Sequence, residues 1–371
     1  MIRFAGLRRS LRRPDRRSLG LGAALAASGA LLLAPPAAVS TPGPVPAAVA
    51  WPHARAASVP ATLPDGSAFS PLLFLDAGTA IGASGGSGGS ARRLVRRGAD
   101  GTVRTLRQLP ASQYPSFRGV TASGGTVAWV EDTDNGAHLA LWAADLDGAT
   151  PPRHVADVTG DAVLDDGPND LSIHDGELSW VGAGGDAGEE TQVWTARLAG
   201  GPVTSRVEPG DWRLAGWPWL VNGTTDPSGT GTLRNLVTHA DVAVRRRPGA
   251  QTRCSPVWCA VVSLADGGST DVELMHPDGG ARERISTGTA VPAIPDVAVL
   301  DRFEVLWRTD ANLDLTHNGE LLVYDVRTRR TVELSPDAAT VTCRGAMLWW
   351  SNGAANQAVT SWHTLDLRTV P

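Results

Sequence analysis

The stretch "TVAWVEDTDNGAHLALWAADLDG", residues 126–148, decides how this chain is read. An apolar run leads through Trp129 into an Asp-x-Asp-Asn-Gly turn. A second apolar run then carries Trp142, and Asp-Leu-Asp-Gly closes the segment. Apolar, β-prone runs on either side of an Asn-Gly turn predict a β-hairpin. The pattern returns along the chain. "GTVAWV" (125–130) is matched by "GELSWV" (176–181), "GWPWLV" (216–221), "VWCAVV" (257–262), "FEVLWR" (303–308) and "AMLWWS" (346–351). Each is followed by a second run, such as "TQVWTARLAGG" (191–201) or "LLVYDVRT" (321–328). Anchored on Trp129, Trp180, Trp219, Trp258, Trp307 and Trp349, the steps are 51, 39, 39, 49 and 42 residues, averaging 44.

A period near this length, filled with short strands and tight turns, marks a β-propeller. A strand before each anchor ("FRGV", "DLSI") and another after the second run ("RHV", "TSRV") bring each unit to four strands. Residues 71–109 supply a degenerate first unit. The expected fold is therefore all-β, a β-propeller of seven four-stranded blades, with six or eight as the alternatives. The last unit runs out of strands at Leu367, so residues 59–63 are the candidate to complete it and close the ring. The recurring tryptophans read as packing between neighbouring sheets. Trp212, Trp217 and Trp219 cluster closely enough to be a candidate binding patch as well.

On these residues the chain resembles the TolB-like propellers built of WD40-like repeats. "GGTVAWVEDTDNGAHLALWAADLDG" (124–148) and "CSPVWCAVVSLADGGSTDVELMHPDGGARERIS" (254–286) carry the likeness, which extends over most of 70–371. Where that repeat has a Ser-Pro-Asp-Gly turn, this chain has Ser123-Gly124-Gly125, His174-Asp175-Gly176 and Cys343-Arg344-Gly345. Each still supplies a turn with glycine. The high arginine and glycine content resembles the secreted actinobacterial members. The likeness implies a propeller and leaves its task open, because such repeats host unrelated roles.

The N-terminus reads as an export signal over residues 1–40. Six arginines between Arg8 and Arg17 precede the apolar run Leu19–Ala34, and Arg16-Arg17 resembles a twin-arginine signal. Residues 41–58 read as a Pro/Ala-rich linker and 59–371 as a single propeller domain. The apolar run is shorter than the roughly 20 residues of a spanning helix, so no stable membrane span is expected after cleavage. The expected compartment is extracytoplasmic, secreted or at the cell envelope.

All 33 basic residues are arginine. Without lysine, Schiff-base chemistry, a P-loop and a lysine general base are excluded. Residues 1–40 hold seven arginines and Asp15, which leaves 26 arginines against 37 acids in the remainder, a net charge of −11. That balance argues against nucleic acid or an anionic membrane as partner. An envelope or extracellular protein or glycan is the expected partner, and a monomer the expected state.

In an oxidising compartment Cys254 and Cys259 of "CSPVWC" are expected to form a structural disulfide, with a redox site as the alternative. Cys343 reads as a buried thiol. Asp310-x-Asn312-x-Asp314 matches the first three ligand positions of a Ca²⁺ loop, then departs from it at Leu315 and Glu320. Solvated turns are the alternative there, at Asp132-x-Asp134 and at Asp165-Asp166. Apart from Ca²⁺ at such turns, no cofactor is expected. The two overlapping Gly-x-Ser-x-Gly matches within 82–89 lie in a Gly/Ser run rather than at a strand-to-helix elbow.

Two functional readings follow. The first is a non-enzymatic binding or scaffolding module at the cell envelope. The second is a secreted hydrolase or lyase whose Asp and His, drawn from loops such as Asp134/His138 and Asp314/His317, meet at the channel mouth. A propeller that only supports a catalytic partner is a third option.

Overall fold

The computed structural model describes residues 43–371 except 86–90, 149, 159–160, 163, 165–166, 168, 184–189, 223–230, 266–267, 310–317 and 354–356. The segment 1–40 therefore lies outside the described residues, and so do Asp310, Asn312, Asp314 and His317.

Apolar residues that alternate over five to eight positions need a sheet to cover them, and the chain supplies one sheet after another. The first blade is Phe69–Phe74, Ala80–Ser84, Arg92–Arg97 and Val103–Leu109, paired antiparallel in chain order. The second is Ser116–Ser123, Thr126–Thr133, His138–Asp145 and Arg153–Asp157. Four more follow in the same order, and the sixth is continuous with the last. Arg330–Arg344 joins them: its first half pairs with Gly319–Asp325 and its second half with Met347–Asn352. One strand is thus outermost in the sixth blade and innermost in the seventh.

The seventh blade is completed from the other end of the domain. Ala56–Pro60 pairs antiparallel with Ser361–Asp366, Val59 facing Trp362. The closing strand thus begins three residues before the expected 59–63. Residues expected as linker are also built in. Val45–Pro46 runs parallel to Val332 and Glu333, and Trp51 meets the Phe303 ring edge-on at 5.9 Å.

The count of seven is fixed independently by packing. Among the described residues, seven buried clusters alternate with seven blades, each drawing side chains from two neighbours. Ile81, Leu94 and Trp129 fill the space between first and second blades. Phe69, Phe74, Trp349 and Trp362 fill the space between last and first, with Phe74 and Trp349 rings 5.3 Å apart. Among the described residues every sheet is thereby packed on both faces against a neighbour. Five of the six anchor tryptophans lie on the second strand of their blade, and Trp258 immediately precedes it. Trp129, Trp180 and Trp349 are almost wholly buried. No helix among the described residues is long and apolar enough to cross a membrane.

Candidate functional site

Strands alternate in direction within a blade, so connections from first to second strand gather at one end of the central channel. Connections from second to third strand gather at the other. At the first of these ends lies a cavity of about 570 Å³. Its walls are the ends of the innermost strands Trp212–Leu214 and Gln251–Cys254, the long connection 293–302 of the sixth blade, and Gly345 of the seventh. Gly167, Asn169 and Asp170 close it from the third blade, whose innermost strand is interrupted between Asp161–Ala162 and Ser172–His174. Arg344 crosses the channel to donate through Nη1 to the Gly167 carbonyl at 3.0 Å.

The cavity floor gathers charge into a place with little water. Arg253 donates from Nη1 to the Ile294 carbonyl at 2.9 Å. Burial pushes Asp296 up to about 6, against the opposing pull of Arg344 and Arg253. Beneath it Glu304 is fully buried, and the same desolvation lifts it to about 7. The Ala298 N–H donates to Glu304 Oε2 at 2.7 Å, while Oε1 has no partner among the described residues. Burial in turn lowers the Arg253 guanidinium. The site therefore holds cations beside two acids that burial lifts above the ordinary carboxylate range.

The wall 293–302 is held in an uncommon backbone. Ala298, Leu300 and Asp301 have φ of 48°, 57° and 55°, the left-handed region that side chains with a Cβ disfavour. Three anchors hold it there: Glu304 on Ala298, Arg253 on Ile294, and Trp258 Nε1 donating to the Asp301 carbonyl at 3.1 Å. Pro256, Pro295 and Leu300 give the cavity an apolar rim, with Leu300 half exposed.

Cys254 and Cys259 form the expected disulfide, which ties the turn 255–258 at this rim. Cys343 is a buried free thiol, raised by desolvation. The three clustered tryptophans are distributed over two packing layers. Trp212 is buried with Val181, Val193 and Leu220, its Nε1 donating to the Pro209 carbonyl at 2.7 Å. Trp217 stacks on His174 at 3.7 Å, and burial lowers the His174 imidazole. Trp219 packs in the next layer, against Leu233 and Met275.

Asp132 and Asp134 part company. Asp132 is buried on its strand and paired with Arg118 at 3.0 Å, whereas Asp134 heads an exposed hairpin with His138 at 3.8 Å. That hairpin joins second to third strand, so it lies at the end of the ring opposite the cavity. Among the described residues no group of three or more His, Cys, Asp or Glu is placed to hold a metal.

Arg253, Asp296, Glu304 and Arg344 were not singled out in the sequence. One signal was available: Glu304 is a lone acid inside "FEVLW", where a strand buried on both faces leaves no water for it.

Among solved structures the chain is similar to a puromycin-hydrolyzing peptidase of Mycobacterium tuberculosis, at 14% identity and a TM-score of 0.51. That likeness covers 89% of this chain and 55% of the peptidase, so the chain spans little more than half of that protein. It is also similar to the β-propeller domain of the Trilobed protease from Pyrococcus furiosus, at 10% identity and a TM-score of 0.49, covering 78% of this chain and 89% of that one. TolB from Acinetobacter baumannii is similar at 11% identity and a TM-score of 0.38, over 67% of this chain and 61% of that one. At these identities the likeness concerns the fold. No protein-family model and no curated protein matches the chain.

Proposed function

We propose that this propeller is an exported, TolB-like binding module at the cell envelope, holding a protein or glycan partner at the cavity end of its channel. The observation that carries the reading is the cavity itself: about 570 Å³, within the size range of ligand sites, with an apolar rim and charged groups at its floor. Its walls belong to a closed seven-bladed ring, so binding there orders little chain and loses little entropy. The basic, then apolar N-terminal segment supports export.

The test is cross-linking capture on intact producing cells with the exported protein as bait. A reproducible stoichiometric protein or glycan is the expected result, and an eluate without one overturns the reading. The second reading, a hydrolase or lyase, is favoured by Asp296 and Glu304, whose values of about 6 and about 7 suit proton transfer near neutrality. Turnover in polysaccharide and peptide screens between pH 5 and 8, lost in Asp296→Asn, would establish it instead.

A further inference from the structure

The cavity has two chemically distinct parts, and together they specify more than a generic partner. At the rim are Pro256, Pro295 and Leu300, an apolar collar at the mouth of the channel. On the floor is the Arg253 guanidinium, fixed by its bond to the Ile294 carbonyl, a neutral acceptor. We infer that the cavity receives the C-terminus of a partner polypeptide, its free carboxylate set against Arg253 and its last apolar side chain against the collar. This rests on the binding-module reading and names the end of the partner that is recognised.

Arg253 lines the cavity with its Nη1 on the neutral Ile294 carbonyl, and its acidic neighbours are Glu304 and Asp296. Asp296 is faced by Arg253 from the fifth blade, Arg344 and the Cys343 thiol from the seventh, and Glu304 from beneath. With Asp296 and Glu304 holding their protons, a carboxylate entering the cavity becomes the counter-ion of a desolvated arginine, where a charge-assisted, two-pronged bond is strongest. Above about pH 6 Asp296 ionises and competes for the same cations. A peptide carboxylate stays ionised at pH 5.5, so its binding strengthens as the pH falls. The remaining charged lining is Arg213, Asp170 and Asp301. The collar meanwhile excludes water and selects an apolar last residue.

The experiment uses the purified protein and two synthetic peptides of one sequence, Gly-Ser-Gly-Ser-Ala-Leu, with a free or an amidated C-terminus. Calorimetric titration at pH 5.5 is expected to show the acid binding about tenfold more tightly than the amide. At pH 8 that preference should shrink. Arg253→Gln should reduce the acid to the affinity of the amide and leave the amide unchanged. Equal binding of acid and amide at both pH values overturns the inference, as does a preference that survives Arg253→Gln. If that variant melts early, Asp296→Asn decides: between pH 5.5 and 6.5, below the Glu304 value of about 7, the acid preference should hold steady, and an unchanged pH dependence overturns the inference. Binding of neither peptide also overturns it, while a partner captured from cells in that case leaves the binding-module reading standing.

Discussion

The two ends of the ring use the same backbone conformation for opposite purposes. At the outer hairpin of the second blade, Asp134, Asn135 and Gly136 take left-handed φ of 55°, 57° and 90°, with their side chains in solvent. Asn, Asp and Gly enter that region at small cost. At the cavity end Ala298 and Leu300 take it too, at 48° and 57°, and these residues have no such licence. The hairpin turns because its sequence prefers to. The cavity wall turns because Glu304, Arg253 and Trp258 hold it there. Strain of this kind persists only where the surroundings over-determine the backbone, and it gathers at sites of function.

The largest test of that contrast is Glu304→Ala at pH 5. It leaves the buried Ala298 N–H without an acceptor, and stability should fall by about 3 kcal/mol in denaturant titration. Glu304→Gln keeps an acceptor and should lose far less. The wild type also carries a pH signature. Folding raises Glu304 from 4.5 to about 7, so between those values the native state holds a proton that the unfolded chain has released. The stability this provides is complete below about pH 4.5 and is lost as the pH rises through about 7. The Gln variant should lack that slope, and Tm measured across pH 4–8 reads it directly.

Replacing both Cys254 and Cys259 by Ala opens the turn at the rim and should cost about 2 kcal/mol, the loop-closure value for so short a ring. Leu300→Gly acts in the other direction. It relieves a left-handed leucine that is half exposed, and should raise stability by about 1 kcal/mol. A fall on that substitution would show that the wall is not strained. Smallest is Asp134→Ala at the opposite end, expected within about 0.5 kcal/mol because both partners of its contact with His138 are exposed.

The architecture was legible because it repeats. Trp129 and Trp180 fill the gap to the preceding blade, Trp349 fills the gap to the first and its neighbour Trp350 the gap to the sixth, and large apolar residues needed in every gap leave a period. The closing strand was legible only to within three residues, since Ala56–Pro60 pairs with Ser361–Asp366 across nearly the whole chain and no local signal sets that register. The disulfide was legible from the spacing of Cys254 and Cys259 together with the compartment the N-terminus leads one to expect. The site was not, because Arg253, Asp296, Glu304 and Arg344 lie on separate blades or separate strands, and only the ring brings them to one floor.

By itself, then, the sequence determined the repeat and the strand type and left seven blades with six or eight as alternatives, because each blade must bury its own faces and does so with residues close in the chain. The two longest steps between anchors, 51 and 49 residues, contain 163–171 and 293–302. What those insertions do was decided only by the tertiary structure. Closing the ring brings Gly167, Asn169 and Asp170 together with 293–302 around a cavity and strips water from acids that in an isolated strand would simply be ionised.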